Sequence, residues 1–252
     1  VEPLSDTETV GIFEALDRVL AQDIVSPIDV PPHDNAAMDG FALRGACLSG
    51  DGETVLRVVG TCYAGDARWS HLIPADACVR IMTGAVMPDG LDTVVPVEFV
   101  RTDRDGAQER VHIPAGVVQP GDHRRRRGED LTAGRAAVRA GQRLGPAALG
   151  LIASLGIAQV PVVRRLRVAY FSTGDEIVSL GEPLREGAIY DSNRYTVYGL
   201  LRRLGVEVID LGVVRDDPAA LEAAFRQAAA QAAAIITSGG VSMGEAAHTK
   251  AM

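Results

Sequence analysis

Carboxylates, hydroxyls and glycines recur in this 252-residue chain at points where a strand-like run gives way to a loop. In "STGDE" (Ser172 to Glu176), Gly174 allows close backbone approach and Asp175 and Glu176 follow it. Two acids there could hold Mg2+, which prefers oxygen ligands and bridges one or two carboxylates to phosphate; they could equally be a solvated polar loop. In "YDSNRYTV", Asp191, Ser192 and Asn193 are all helix-capping types. Three together could be redundant caps, or an anion and ribose site on a helix N-terminus. Asp191 would repel phosphate there unless a metal or hydroxyl stood beside it. In "TSGGVSMGE", Ser238, Gly239, Gly240 and Ser242 offer backbone amides that can nest an oxyanion. Neither a Walker motif nor a GxGxxG fingerprint is present. "RIMTGAVMPDGLD" carries Thr83 in a loop, and "PPHDNAAMDGFAL" (Pro31 to Leu43) places Asp39 between a methionine and a glycine. A plain turn needs only Asp-Gly, so this acid looks placed for more than a turn.

The remaining candidates are weaker. Arg124 to Arg127 in "HRRRRGEDL" could face a phosphate-bearing ligand, but a loop salt-bridged to Glu129 and Asp130 is the better reading. His33 has no second histidine at metal spacing. No Ser-His-Asp or Cys-His relay assembles from five scattered histidines. The inventory suits phosphate and metal chemistry better than acyl transfer.

The elements that must position these residues fall into three textures. Residues 5–8 have the form of a capping box, with Phe13, Leu16 and Leu20 at helical spacing, while Val10 and Ile12 also fit a strand. From Glu53 to about Arg143, short β-branched runs divided by Gly, Pro and Asp predict a small β domain. Gly145-Pro146 opens a short helix that Gly156 ends. From Arg167 the order becomes strand, helix, strand, helix, strand. The first helix carries Val197, Leu200, Leu201 and Leu204 on one side, and Asp217-Pro218 starts the second over Leu221, Ala224, Phe225 and Ala228. This order implies a parallel sheet, with ligands beyond the carboxyl ends of its strands, where "STGDE" and "TSGGVS" fall. The expected fold is α/β plus β, an elongated multidomain chain. Its parts are a discontinuous linking or dimerisation domain (1–46 and 142–165), a β-rich domain (47–141) and an incomplete α/β domain (166–252).

Composition narrows the classes. Hydrophobic residues make up 47% and aromatics only 4%, so the core must be largely aliphatic. A formal charge of -8 argues against a general nucleic-acid binder. Three widely spaced cysteines without a metal pattern, no N-terminal signal region and no long apolar run suggest a soluble cytoplasmic protein with no membrane partner.

In order, the stretches "NAAMDGFAL", "RIMTGAVMPDGLDTVVPVE", "RRRRGEDL", "LGLIASLGIAQVPVVRR", "RVAYFSTGDEIV", "GAIYDSNRYTV", "LGVVRDDPAAL" and "ITSGGVSMGE" resemble the molybdopterin molybdenumtransferase family, the MoeA proteins and the gephyrin E domain. The series covers nearly the whole chain. The resemblance implies a reaction in which adenylylated molybdopterin and molybdate, with Mg2+, give AMP and a pterin dithiolene carrying molybdenum. It also implies an elongated homodimer whose cleft combines segments of both subunits, and an upstream adenylyltransferase as a further partner. It places Asp39 and Thr83 on one side of that cleft, and Gly174, Asp175, Glu176, Asp191, Ser192, Asn193, Ser238, Gly239, Gly240 and Ser242 on the α/β side. Glu176 and Asp191 would hold the metal or nucleotide. Two positions depart from the family pattern: Ala247 and Ala234 stand where acids are usual. The family's lysine-bearing Pro-Gly-Lys-Pro segment, its Leu-Pro-Gly-Asn-Pro loop and its C-terminal β domain have no counterpart here, so a polypeptide ending at Met252 is expected to show little transferase activity. A pterin-binding module is the competing reading. A stand-alone adenylyltransferase would lack "MDGFAL" and the β-rich middle.

Overall fold

A computed structural model describes residues 4–239. They form two compact units. One is assembled from the residues up to Gln22, Arg139–Ala153 and those from Ile157 on; the other comprises Asp23–Val138 and Ser154–Gly156.

The ambiguity at the start resolves to a strand, β1 (Thr7–Gly11), which pairs antiparallel with Gln159–Val163. Pairing partners about 150 residues away outweigh a local capping signal, because a half-exposed pleated surface suits Thr and Val. Arg18 fastens this ladder. Its Nη2 donates to Glu8 Oε1 at 2.5 Å and to the Val163 carbonyl at 2.8 Å, and the residue is only 7% exposed.

The second unit is built on six strands. In chain order, β2 is Gly40–Leu43, β3 Thr54–Cys62, β4 Ala77–Ile81, β5 Thr93–Pro96, β6 Arg101–Asp105 and β7 Gln108–Ile113. Their order across the sheet is β5-β2-β4-β3-β7-β6. All neighbours are antiparallel except β3 and β4, which run parallel. Side chains alternate faces along each strand. Ala42, Val79, Ile81 and Val94 pack into a core on one face. Phe41, Leu43, Cys78, Val95, Val111 and Ile113 form a core on the other. Strand β2 is therefore buried along its whole length. Burial also raises the Cys78 thiol to about 12, which makes it a core filler rather than a nucleophile.

Helix α1 (Pro146–Ser154) begins in the first unit with Pro146 in its first turn, and Gly156 follows it at φ +73°. Next come β8 (Gln159–Val163), β9 (Arg167–Thr173), α2 (Ser192–Arg203), β10 (Glu207–Val214), α3 (Pro218–Gln231) and β11 (Ala234–Ser238). The sheet order is β10-β9-β11, all parallel. Asp217 caps α3 by accepting from Ala219 N and Ala220 N, as its position before Pro218 predicts. Leu221 and Ala224 pack on Phe171 of β9.

One expected face differs. Val197 and Leu201 of α2 pack with Val168 and Val206, but Leu200 and Leu204 are largely exposed. The helix ends at Arg203, so Leu204 lies past the last turn and takes no part in its stripe. Of the described helices, none is long and apolar enough to cross a membrane.

Candidate functional site

The carboxyl edge of the parallel sheet gathers the first group of candidates. Strand β9 is buried from Val168 to Thr173. Its Tyr170 hydroxyl lies 3.1 Å from Ser172 Oγ and 2.6 Å from Ser238 Oγ, and the two serines are 3.2 Å apart. Register pairs Ser172 with Ser238, so parallel strands deliver both hydroxyls to one level. The chain then crosses itself tightly. Gly239 has φ +94°, and a Cβ there would stand 1.9 Å from the Thr173 carbonyl oxygen. Only glycine lets the β11 loop pass the end of β9. Thr173 Oγ1 is buried there without a hydrogen-bond partner.

Gly174 turns the chain away at φ +147°, and the Glu176 carboxylate occupies the space a Cβ would take, with Oε2 2.7 Å from that point. Asp175 is exposed, and its carbonyl accepts from Arg185 Nη2. Ile177–Val178 and Ile189–Tyr190 form a short parallel ladder. Glu176 precedes one strand of the ladder and Asp191 follows the other. By that register the two acids are offset by three residues, roughly 10 Å along the strands. The arrangement suits two acids at either end of an extended ligand better than two acids gripping one ion.

Asp191 is the decisive side chain. It is 3% exposed, and as N-cap of α2 its Oδ1 accepts from Arg194 N at 3.1 Å. Its Oδ2 is buried with no hydrogen-bond partner. A carboxylate oxygen only accepts, and a buried one left unpaired is costly. Such an atom fits a cation or a donor supplied by a ligand. Mg2+ is commonly held by one or two carboxylates with phosphates and waters completing its shell, so Asp191 fits that ion although the described residues hold no group of three or more His, Cys, Asp or Glu that could bind a metal. Ser192 and Asn193 open α2 with exposed side chains. Gly240 and Ser242 lie outside the described residues, as does Ala247.

Two further residues hold the start of α2 in place. Arg194 Nε and Nη2 both reach Asp210 Oδ2, at 2.9 and 2.7 Å, and Asp210 Oδ1 accepts from Gly212 N. The Asp210 carboxylate raises the Arg194 pKa. Sequence reasoning missed this pair, along with Tyr170 and Thr173. The available signal was Asp210 standing between apolar neighbours in "VIDLG".

The second group lies in the other unit. Gly40 pairs with Ile81, so the residues just before β2 and just after β4 meet. Asp39 Oδ1 accepts from Thr83 Oγ1 at 2.6 Å and from Thr83 N at 2.7 Å. The Thr83 hydroxyl, with help from its N–H, lowers the pKa of the exposed Asp39 carboxyl. Its contribution to stability is thus present above the ordinary carboxylate pKa and is lost as pH falls through the lowered value. Thr83→Val removes the hydroxyl and keeps the N–H, so the Asp39 titration followed by NMR should move upward; an unmoved titration would show that the hydroxyl is not the cause. The arginine loop reads as expected. Arg125 pairs with Glu129 and Asp130, and Arg127 with Asp29.

Residues 1–156 match the family model described as MoeA N-terminal region (domain I and II). The chain belongs to the MoeA family. Residues 169–252 match a second model, described as a probable molybdopterin binding domain. The chain is 46% identical over 248 residues to a molybdopterin molybdenumtransferase of Haemophilus influenzae, covering 98% of this chain and 60% of that protein. It is 42% identical to molybdopterin molybdenumtransferase 2 of Mycobacterium tuberculosis, covering 94% of this chain and 58% of that one. A crystal structure of the MoeA protein from Pyrococcus horikoshii superposes with a TM-score of 0.80 at 36% identity, over 94% of this chain and 60% of that one. The chain thus spans about 60% of the length of these MoeA relatives. The α/β plus β architecture expected from the sequence agrees with that of the MoeA structure.

Proposed function

We propose that this chain supplies the pterin- and nucleotide-facing part of a molybdopterin molybdenumtransferase, which inserts molybdate into adenylylated molybdopterin and releases AMP. The observation that carries the reading is the buried, unpartnered Asp191 Oδ2 at the start of α2, beside the carboxyl edge of a parallel sheet. That edge is where α/β folds take ligands. Asp191 would hold Mg2+, with Glu176 toward the other end of the ligand; when bound, the ion offsets phosphoanhydride charge as AMP leaves. Ser238 and Gly239, with Gly240 and Ser242 beyond, would present hydroxyls and amides to an oxyanion, and Gly174, Asp175, Ser192 and Asn193 would border the nucleotide.

Asp39, held by Thr83, is a fixed acceptor on a second surface, suited to orienting a water or the metal. Its use in the same reaction requires the family's homodimer, in which one subunit's β-rich side completes the partner's cleft. The threefold division into linking, β-rich and α/β domains belongs to this proposal, as do a cytoplasmic setting and delivery of substrate by an adenylyltransferase. A pterin-binding module is the alternative, favoured by the match of residues 169–252 to a probable molybdopterin binding domain. Adding molybdate to the protein loaded with adenylylated molybdopterin and Mg2+ separates the two. The insertase reading expects AMP, and the binder reading expects none.

A further inference from the structure

The far end of α2 faces a different kind of site. A cleft of about 380 Å3 opens in the first unit, lined by Leu16, Val19, Leu166 and Leu204 and by six arginines: 18, 143, 164, 165, 202 and 203. That volume is in the range of small-ligand pockets. Among the described residues, Asp17 is the only carboxylate in its wall. Two of the six charges are already spent. Arg18 pairs with Glu8, and Arg143 with Asp17 at 3.1 Å. Among the described residues, Arg164, Arg165, Arg202 and Arg203 have no carboxylate at ion-pair distance. The C-terminus of α2 offers Arg202 and Arg203 only about half a negative charge. Roughly three or more positive charges therefore remain uncompensated on one concave surface, in a chain whose net charge is -8.

We propose that this cleft binds a small anion of the phosphate class, carrying two or more negative charges. A single carboxylate would neutralise one guanidinium and leave the rest repelling one another. A phosphate or pyrophosphate group presents several oxygens to planar, forked donors, the geometry guanidinium groups match best. Around them stand leucines, of which Leu204 is 77% exposed. They give an apolar part of the ligand a place to rest, so a phosphate ester or pyrophosphate with an organic tail fits better than the bare ion. The site is separate from the proposed pterin site. Asp191 caps one end of the 12-residue helix α2 and Arg202 and Arg203 close the other, about 18 Å away. The inference does not rest on the insertase reading.

The test is calorimetric titration of the protein with inorganic pyrophosphate, at fixed ionic strength in a buffer without phosphate. Binding is expected to weaken about tenfold or more in Arg202→Ala/Arg203→Ala, and also in Arg165→Ala, which approaches the cleft from another segment of the chain. Removing charge elsewhere, one in Arg57→Ala and two in Arg57→Ala/Arg226→Ala, should leave binding unchanged. If the α2 variant unfolds, the Arg165→Ala result decides. No detectable binding to wild type, or equal loss in the distant variants, overturns the proposal and leaves the cleft to an acidic protein segment. Binding that survives in Arg165→Ala or in a folded α2 variant also overturns it.

Discussion

Asparagine at position 191 is expected to leave the fold about as stable as wild type while AMP release falls about 100-fold. The two effects separate because Asp191 does two things with two oxygens. Oδ1 caps α2, and Asn caps a helix as well as Asp does. Oδ2 is buried with no hydrogen-bond partner, so it stands as an acceptor left open for a ligand. Replacing it by an amide nitrogen keeps the shape and removes the acceptor offered to a cation or substrate donor. Asp191→Ala provides the contrast. It should lose activity and also about 1 kcal/mol of stability with the cap. Thermal melts run alongside the AMP assay check both. An Asn variant that is destabilised like the Ala variant but fully active would show that the carboxylate is structural.

Alanine at Gly40 should be the most damaging small substitution in the β unit. A Cβ there would sit 2.0 Å from the Val95 carbonyl oxygen and 2.8 Å from its carbon. The atoms in the way are backbone, in a strand that pairs Gly40 with Pro96 and Phe41 with Val95. Neither strand can yield without disturbing the cores on both faces, so a loss of about 3 kcal/mol or more is expected by denaturant titration. The same displacement would pull Asp39 from Thr83. This answers why an acid stands between a methionine and a glycine. The glycine lets β2 press against β5, and that contact holds the acid where β4 delivers Thr83. A loss under about 0.5 kcal/mol would mean the strands are free to separate.

The parallel sheet was legible because its central strand, β9, is a continuous apolar run ending in hydroxyl residues and Gly174, a pattern that burial on both faces requires. The caps of α2 and α3 were legible for a local reason, since Asp191 and Asp217 act within three residues of themselves. What could not be read was set by distant partners. The chain start forms a strand because Gln159–Val163 lies beside it. The meeting of Asp39 and Thr83 depends on the register between β2 and β4. Leu200 looked like a member of the buried stripe, yet the helix turns Val197 and Leu201 inward instead. The Arg194–Asp210 pair and the Tyr170 hydroxyl cluster each join residues from separate strands or helices, which no local pattern announces.

The most direct test of the central claim is the molybdate dependence of AMP release. The protein that carries this sequence is loaded with adenylylated molybdopterin and Mg2+, and free AMP is followed before and after molybdate is added. Little AMP is expected before the addition and, after it, AMP matching the pterin that gains molybdenum. AMP released equally without molybdate, or none released on its addition while the pterin stays bound, would contradict the claim.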